Sequence, residues 1–278
     1  SFIHDSKSLQ VEFIPEGSNQ TVVALINDAN KYEELLSTIT ELDEKSFREY
    51  LVINEDTNPV YIPSGEIGLP TYSITPSEIK PALFVDILFT NPTVVRETRS
   101  QTIGEVYFTD NRQLSVFHDG MRMEYVSHLT PEDSDRTLSE KDLLDYSIVD
   151  INSHGGWTQD YRLEHIDLDN NQVTFQMYYD GYPVFNSYKL TTIEQRWEIY
   201  QNSIQLVEYN RPLYLFESEF IWRKSTHIPS GEDILIYLDK NPDLSVDNIQ
   251  DITIGYELKY QQDDEYIELA PAWFKKEN

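Results

Sequence analysis

Residues 104–126 read GEVYFTDNRQLSVFHDGMRMEYV, and this stretch predicts three antiparallel strands in succession. Three runs within it alternate apolar and polar residues with a period of two, which is typical of strands with one buried face. The runs are 104–109, 113–118 and 121–126. Turn residues separate them at Asp110-Asn111 and Asp119-Gly120. Because both central residues of the favoured hairpin turn need positive φ, the Asp-Gly pair predicts a tight hairpin.

A helix is predicted on the N-terminal side of these strands, and the same order of elements then recurs. The first helix covers 75–89, with Pro81 in its first turns, and the second begins at Ser139 and ends at His154. Strands predicted after the second helix cover 157–168, 172–179 and 182–185. The turn at Asp110 aligns with Asp169 at an offset of 59. The pattern predicts an α+β fold with two related αβββ units of antiparallel sheet packed by helices.

The rest of the chain is predicted to contain further strands and two further helices. The predicted strands are 9–14, 50–53, 59–62, 190–200, 204–209, 249–260 and 266–269, the last two joined by a turn at 261–265. The helices are 28–42, capped by Asp28, and 230–238, capped by Ser230. Breakers concentrate in 63–81, which favours a connection between modules. We therefore predict an N-terminal module over 1–75, a central αβββ module over 76–137 and a C-terminal module over 138–278.

The charge balance argues against several classes of partner. Asp and Glu number 49 against 21 Lys and Arg, giving a net charge of -28. This charge repels nucleic-acid phosphates and anionic lipid headgroups, so we expect neither nucleic-acid binding nor surface binding to membranes. The chain has no cysteine, which excludes disulfides and thiolate metal sites. No run approaches the roughly 20 apolar residues that span a bilayer.

Motifs that carry catalytic or cofactor chemistry are absent from the sequence. It has no GxGxxG, no phosphate-binding GxxxxGK[ST] and no GxSxG. Its six histidines form no pair at metal-ligand spacing. The run 167–171 begins like a calcium loop, but Gln172 stands where such a loop needs Gly, so we interpret the run as a hairpin turn. We predict no catalytic residue, no metal site, no cofactor and no enzymatic activity.

Aromatic residues are dense between Trp157 and Trp197, and they supply the candidate partner-binding residues. Tyr and Trp are favoured at interfaces because they offer rigid apolar area with a polar group. The candidates are Trp157, Tyr179, Tyr182 and Phe185. The competing interpretation is that alternation in strands simply places these rings in the core or in cross-strand pairs. The sequence leaves both interpretations open.

Several runs of the chain resemble the YycH family. They are LFTNP (88–92), INSHGGWT (151–158), YYDGYPVFN (178–186), YNRPL (209–213) and LAPAWF (269–274). The resemblance extends from about residue 70 to the end. It implies an extracytoplasmic region of three modules, the latter two similar to each other. It also implies a single N-terminal transmembrane anchor, which residues 1–278 do not contain.

The resemblance also implies a function. Proteins of this family are non-enzymatic, membrane-anchored accessories of the WalK-type (YycG) two-component sensor histidine kinase of Gram-positive bacteria, which governs cell-wall metabolism. They act in signal transduction on the extracellular face of the cytoplasmic membrane, together with the companion protein YycI. The expected partners are therefore a YycI-like protein and a WalK-type kinase, and a homodimer is left open. Two alternatives remain: an extracellular module that binds a cell-envelope ligand, and a cell-wall glycan hydrolase.

Overall fold

The computed structural model describes residues 2–5, 8–13, 22–26, 29–41, 49–53, 59–100, 104–128, 137–241, 244, 249–260 and 266–277. The chain divides into two compact units. The smaller unit comprises 1–69, 227–253 and 273–278, and the larger unit comprises 70–226 and 254–272. The sequence analysis divided the chain into three modules instead, and that division stays a prediction.

Helices and strands are both present, and strands predominate. The helices are α1 (Ala29–Glu41), α2 (Ala82–Leu88), α3 (Glu140–Ser153) and α4 (Gly231–Lys240), with a 3-10 turn at Pro92–Val94. The strands are β1 (Phe2–Asp5), β2 (Ser8–Phe13), β3 (Val22–Ile26), β4 (Tyr50–Ile53), β5 (Val60–Pro63), β6 (Ile67–Glu78), β7 (Arg96–Ser100), β8 (Gly104–Phe108), β9 (Arg112–Phe117), β10 (Arg122–Ser127), β11 (Asp160–Asp167), β12 (Gln172–Tyr179), β13 (Tyr182–Phe185), β14 (Thr192–Tyr200), β15 (Ser203–Pro212), β16 (Tyr214–Ile228), β17 (Ile249–Lys259) and β18 (Ile267–Glu277). The predicted α+β class is confirmed. No helix in these ranges is long and apolar enough to cross a membrane.

The larger unit is built on one extended sheet. Its strand order is β16-β6-β18-β17-β13-β12-β14-β15-β10-β9-β8-β7, and β11 pairs with β12 off this path. Neighbouring strands in the registers described are antiparallel except β13 and β17, which pair in parallel over Val184↔Tyr256 and Phe185↔Glu257. The predicted meander is present as β8, β9 and β10. Its second turn is a four-residue loop between the paired Phe117 and Arg122, rather than the predicted two-residue turn.

The predicted elements of the two αβββ units occur in the predicted order, but β7 lies between α2 and β8, and the two units connect differently to the sheet. In the first, β9 lies between β8 and β10. In the second, β12 pairs with β11 along one edge. Along its other edge β12 pairs with β14 and then, for only two residues, with β13 (Tyr178↔Pro183 and Tyr179↔Tyr182). The helix that opens the second unit has the predicted cap, since Ser139 Oγ accepts from the backbone N–H of Asp142 at 3.1 Å.

The predicted helix over 75–89 is wrong in its first half. β6 continues to Glu78, and α2 begins only after Pro81, which serves as its N-cap. The breaker-rich stretch 63–81 is therefore largely strand rather than a connection. Its pairing with β18 covers Tyr72, Ser73 and Ile74. This stretch lies between Pro70 and Pro76, where every residue retains the N–H that a ladder needs.

The helices α2 and α3 both contribute to the first core of the larger unit, which we call the helix-covered core. Phe84 and Leu143, one from each helix, are completely buried there together with Leu114, Met123 and Val173 from the sheet. Trp197 donates a hydrogen bond from Nε1 to Ser147 Oγ at 2.9 Å, which gives the indole a buried partner on α3. A second apolar core lies around Tyr256 and forms part of the candidate site below.

The smaller unit has a core of its own, formed by Val60, Ile62, Leu238, Ile249 and Ile252. Its helix α4 has the predicted Ser230 cap, since Ser230 Oγ accepts from the N–H of Asp233 at 3.2 Å. The helix predicted over 28–42 is present as α1 and the strand predicted over 9–14 as β2. The expected Asp28 cap, the end of that strand at Ile14 and the turn at 261–265 lie outside the described residues.

Candidate functional site

The turn between β12 and β13 brings two of the predicted site residues side by side. Tyr179 and Tyr182 are directly opposite each other in the ladder, so Asp180 and Gly181 form a two-residue loop. Both loop residues have positive φ, 50° and 82°, as the Asp-Gly pair predicted. This geometry places both tyrosines at the same end of the β12–β13 pair.

Around this turn lies a group of aromatic rings that we call the tyrosine cluster. Its members are Tyr72, Tyr179, Tyr182, Phe216 and Tyr256. The ring centroids of Tyr72 and Tyr179 are 5.0 Å apart, and those of Tyr182 and Tyr256 are 6.2 Å apart. Phe216 lies 5.6 Å from Tyr179. These pairs meet edge to face, the arrangement in which the positive edge of one ring meets the negative face of another. The rings come from five strands: β6, β12, β13, β16 and β17.

Polar groups border the cluster next to Tyr72. Its hydroxyl donates a hydrogen bond to Oδ2 of Asp180 at 2.9 Å, and the Arg223 guanidinium lies 5.5 Å from its ring centroid. Burial, reinforced by the hydrogen bond to Asp180, raises the pKa of Tyr72 to about 12. Burial also raises the pKa of Tyr179. These two hydroxyls therefore stay protonated at neutral pH, and the cluster presents apolar rings and O–H groups.

Tyr256 is the most enclosed member of the cluster. Its side chain is completely buried, and its hydroxyl has no hydrogen-bond partner among the described residues. A buried hydroxyl without a partner forfeits its hydration without compensation, which costs about 1–3 kcal/mol. The other aromatic rings of the cluster surround the Tyr256 ring, and their packing against it offsets this cost.

We expect Tyr256→Phe to leave the free energy of unfolding unchanged or to raise it by about 1 kcal/mol, because the lost hydroxyl makes no bond. Tyr72→Phe is the matched control and should lower that free energy by about 1 kcal/mol, since it removes the bond to Asp180. Urea denaturation at neutral pH measures both changes. A loss larger for Tyr256→Phe than for Tyr72→Phe would show that the Tyr256 hydroxyl is bonded in solution.

The other two predicted site residues lie outside the tyrosine cluster. Trp157 packs against the helix-covered core, with its ring 5.0 Å from Phe175, and its Nε1 donates to Asn152 Oδ1 at 2.9 Å. Phe185 is half-buried at the end of β13, next to Gly255, where an added Cβ would lie 3.1 Å from the Phe185 ring. The structure thus brings Tyr179 and Tyr182 together and places Trp157 elsewhere. Partner binding by these four residues stays a prediction.

A second constellation, which the sequence analysis did not identify, centres on Arg211. Its side chain is completely buried, and its guanidinium donates to the carbonyl oxygens of His154 at 3.2 Å and Gly156 at 2.9 Å. It also donates to the Tyr209 hydroxyl at 2.8 Å and lies 4.9 Å from the ring centroid of Phe84. No ion pair among the described residues includes Arg211. Carbonyl dipoles and an aromatic face therefore compensate its charge.

The end of α3 is held to the sheet by a further polar contact. Gln195 donates from Nε2 to Oδ2 of Asp150 at 2.6 Å. Nδ1 of His154 lies 2.8 Å from Oδ1 of Asp150, although this buried nitrogen is not aligned for a hydrogen bond. Together with Arg211, these contacts fix the loop after α3 that carries the run 151–158.

The calcium-like run lies in the turn between β11 and β12, in agreement with its interpretation as a hairpin turn. Asp167 accepts from the backbone N–H of Asn170 at 3.1 Å and from its side-chain amide at 2.7 Å. These bonds lower the pKa of the Asp167 carboxyl. Nowhere in the described part of the chain do three or more acidic or histidine side chains gather in a way that could hold a metal ion.

Comparison with known proteins identifies one family and one fold. A family model described as "YycH protein, C-terminal domain" matches residues 57–278. Among solved structures, the chain is similar to the crystal structure of YycH from Bacillus subtilis, with a TM-score of 0.75 and 19% sequence identity over 98% of this chain. At that identity the likeness shows a shared fold. The chain spans 66% of the length of that structure. No curated protein matches the chain.

Proposed function

The chain belongs to the YycH family, and on that premise we propose that it is a non-enzymatic regulator of a membrane sensor histidine kinase of the WalK type. The family match over residues 57–278 is the observation that carries the proposal. In this proposal the protein works on the extracellular face of the cytoplasmic membrane, to which an N-terminal transmembrane anchor attaches it. It acts in complex with a YycI-like protein, and the kinase it modulates controls cell-wall metabolism.

The contacts of Arg211 support a scaffold role for two of the runs that resemble the family. The runs 151–158 and 209–213 are far apart in sequence, yet the Arg211 side chain of one holds the backbone of the other. In these contacts Arg211 maintains the shape of the loop after α3, which suits a protein that acts by binding.

Regulation by such a protein follows from differential binding. A kinase that exchanges between two signalling states is biased only to the extent that its partner binds one state more tightly than the other. A shift from 1:99 to 99:1 needs about 5.5 kcal/mol of such preference. No bond needs to be made or broken in the regulator, so the proposal requires no catalytic residue.

The decisive experiment is co-purification from the membrane. The full protein, with its membrane anchor, is expected to capture both the YycI-like protein and the kinase, and to capture less of the kinase when only residues 1–278 are expressed. Purification of the full protein with neither partner would contradict the proposal. Capture of both partners equally by the two forms would support the complex but contradict the role of the anchor.

The tyrosine cluster supplies the partner surface to test within this proposal. Tyr182 is half-buried at its margin. If it is an energetically important contact to the YycI-like partner, Tyr182→Ala should weaken that binding about tenfold or more, as truncation of an aromatic hot spot does. Tyr188→Ala is the matched control, since Tyr188 is 60% exposed and outside the cluster. Titration calorimetry with the partner's extracellular region measures both.

A loss of binding by Tyr182→Ala can be separated from a folding defect. Tyr182 contacts Tyr256 in the core, so its loss will also lower the melting temperature somewhat. Affinities are therefore compared at a temperature where both variants are folded by circular dichroism. Equal affinities for Tyr182→Ala and Tyr188→Ala would remove the tyrosine cluster from the partner surface while leaving the family assignment in place.

A further inference from the structure

The strand β16 forms one edge of the larger sheet, and β6 is the one strand that the described sheet order places beside it. Edge strands are usually short or protected by charges, because their unpaired N–H and C=O groups bind readily to another chain. The opposite edge, β7, follows this rule with five residues, three of them charged. β16 instead has fifteen residues, and its Ile221 and Trp222 are 56% and 38% exposed. An edge of this kind is suited to receive a further strand.

The next two residues of β16, Arg223 and Lys224, lie on opposite faces of the sheet. The Arg223 guanidinium lies 5.5 Å from the ring centroid of Tyr72, on the face of the tyrosine cluster. Thr226 Oγ1 lies 2.7 Å from Oγ1 of Thr71, the residue before Tyr72 in β6, so Thr226 is on the other face. Because side chains alternate along a strand, Lys224 shares the face of Thr226.

Each face of this edge therefore presents one apolar and one cationic side chain. Alternation places Ile221 beside Arg223 on the face of the tyrosine cluster, and Trp222 beside Lys224 on the other face. All four residues are exposed to solvent. We call this segment, residues 221–224, the cationic edge.

The two cations of the cationic edge have no acidic partner in the described part of the chain. None of the ion pairs there includes Arg223 or Lys224. The chain has 49 acidic residues against 21 basic ones, so an exposed cation has many acids of its own chain with which to pair. Two adjacent cations that remain outside these pairs are available to carboxylates of another molecule.

A strand added beside β16 meets both cations only if its acidic residues are adjacent in sequence. Residues directly opposite each other in a ladder point to the same face, and opposite charges there stabilise the pair. Two consecutive residues of the added strand point to opposite faces, as Arg223 and Lys224 do. In an antiparallel strand, the residues opposite Trp222 and Ile221 come next in the sequence. Apolar side chains at these two positions complete the match on both faces.

We propose that the cationic edge binds an extended segment of another protein, in which two consecutive acidic residues are followed by two apolar residues, as an added antiparallel strand. Strand addition takes its affinity from main-chain hydrogen bonds and its specificity from the side chains on the two faces. One strand pair buries less than the ~800 Å² per partner of a standard interface, so an isolated peptide binds with a dissociation constant on the order of 100 μM. This inference does not depend on the proposed function.

Peptide binding measured by fluorescence anisotropy tests the alternation of charges. A fluorescein-labelled peptide Thr-Thr-Glu-Glu-Val-Val-Thr-Thr, blocked at its C-terminus, should bind residues 1–278 saturably. The isomer Thr-Glu-Thr-Glu-Val-Val-Thr-Thr has the same composition, but both of its carboxylates lie on one face of an extended strand. It should bind about threefold more weakly, because one of the two opposite-charge pairs is lost. Equal affinities would indicate unspecific attraction of anions and overturn the proposal, as would the absence of binding.

Charge reversal tests the two cations. Arg223→Glu and Lys224→Glu should each weaken binding of the first peptide about fivefold, because a like-charge pair replaces an opposite-charge pair. The variant with both reversals should instead prefer the peptide Thr-Thr-Lys-Lys-Val-Val-Thr-Thr. Lys141→Glu is the matched control on α3, at a residue whose side chain is 82% exposed, and should leave binding unchanged. Circular dichroism establishes that every variant is folded. Single reversals that match the control would contradict the assignment to the cationic edge.

Backbone methylation tests whether the peptide binds as a strand. Alternate residues of a strand direct their N–H groups to opposite edges, so one set of peptide N–H groups faces β16 and the other faces solvent. N-methylation of the first Glu and first Val, or of the second Glu and second Val, should abolish binding in one case only. Binding that survives both modifications or neither would overturn strand addition. So would sedimentation equilibrium showing that a second copy of the chain occupies this edge in place of the peptide.

Discussion

Replacing Arg211 by alanine is expected to lower the free energy of unfolding by about 3–5 kcal/mol, a large part of the stability of a typical domain. The change leaves the carbonyl oxygens of His154 and Gly156 buried without their donors and empties the space against Phe84. Unsatisfied buried acceptors and a cavity add to each other. The loop after α3 should lose its position first.

Chemical denaturation followed by tryptophan fluorescence measures this effect. Arg162→Ala is the matched control, because Arg162 also stacks on an aromatic ring, that of Tyr178 at 4.0 Å, but its side chain is 54% exposed. We expect the control to cost no more than about 1 kcal/mol. Arg211→Lys should fall between wild type and alanine, since an ammonium group cannot reproduce the planar fork. Equal losses for Arg211→Ala and Arg162→Ala would contradict the structural role of Arg211.

The second large effect is expected at alkaline pH, where the larger unit should unfold between about pH 10 and 12. Burial raises the pKa of Tyr209 to about 12, and burial together with the hydrogen bond to Asp180 does the same for Tyr72. Burial also raises the pKa values of Tyr214 and Tyr256. Above pH 10 the unfolded chain releases these protons while the folded chain retains them, so the folded state binds more protons and stability falls as pH rises.

The expected slope is steep. Each tyrosine that titrates only in the unfolded chain contributes about 1.4 kcal/mol per pH unit, so these four alone remove about 5 kcal/mol per unit near pH 11. Urea denaturation at a series of pH values gives the slope. Tyr256→Phe removes one of the four groups without removing a hydrogen bond, so its slope should be shallower by about 1.4 kcal/mol per unit. Stability that is constant up to pH 12 would contradict the burial of these hydroxyls.

The strands that the sequence predicted well are those with two different faces. β12 and β13 occur at the predicted residues because their apolar residues alternate and an Asp-Gly pair separates them. Five strands were missed, namely β1, β3, β6, β7 and β16, and two of them, β7 and β16, are the edges of the large sheet. β7 is largely exposed on both faces and so has no apolar alternation to detect. Apolar alternation in a sequence arises when a strand buries one face, and an exposed edge strand such as β7 buries little of either face.

The strand β6, where a connection and the start of a helix were predicted, was missed for a related reason. The stretch 71–74 is buried at four consecutive positions. A segment buried on both faces shows no period of two, so short apolar runs of this kind do not distinguish a strand from a buried helix. The prolines that bracket the stretch were interpreted as breakers between modules, whereas they limit the length of strand that can join a ladder.

The candidate site was predictable only where it is local. The Asp-Gly turn indicated that Tyr179 and Tyr182 would meet, and they do. Tyr72 and Tyr256 join them through sheet pairings between distant parts of the chain, which no local pattern specifies. Arg211 could have been noticed by its setting, since it is a cation in a strand whose alternate residues Val207 and Tyr209 are buried. A buried position occupied by Arg indicates a dedicated set of acceptors.

The position of β18 has a consequence for the order of events during synthesis. This last strand of the chain lies inside the sheet, between β6 and β17, and Ile267 pairs with Ile74. A chain made from its N-terminus presents β6 long before its neighbour exists. The larger unit cannot close until β18 has emerged from the ribosome, and until then one side of β6 stays open to incorrect pairing. A protein of this topology gains from being kept unfolded until β18 is available.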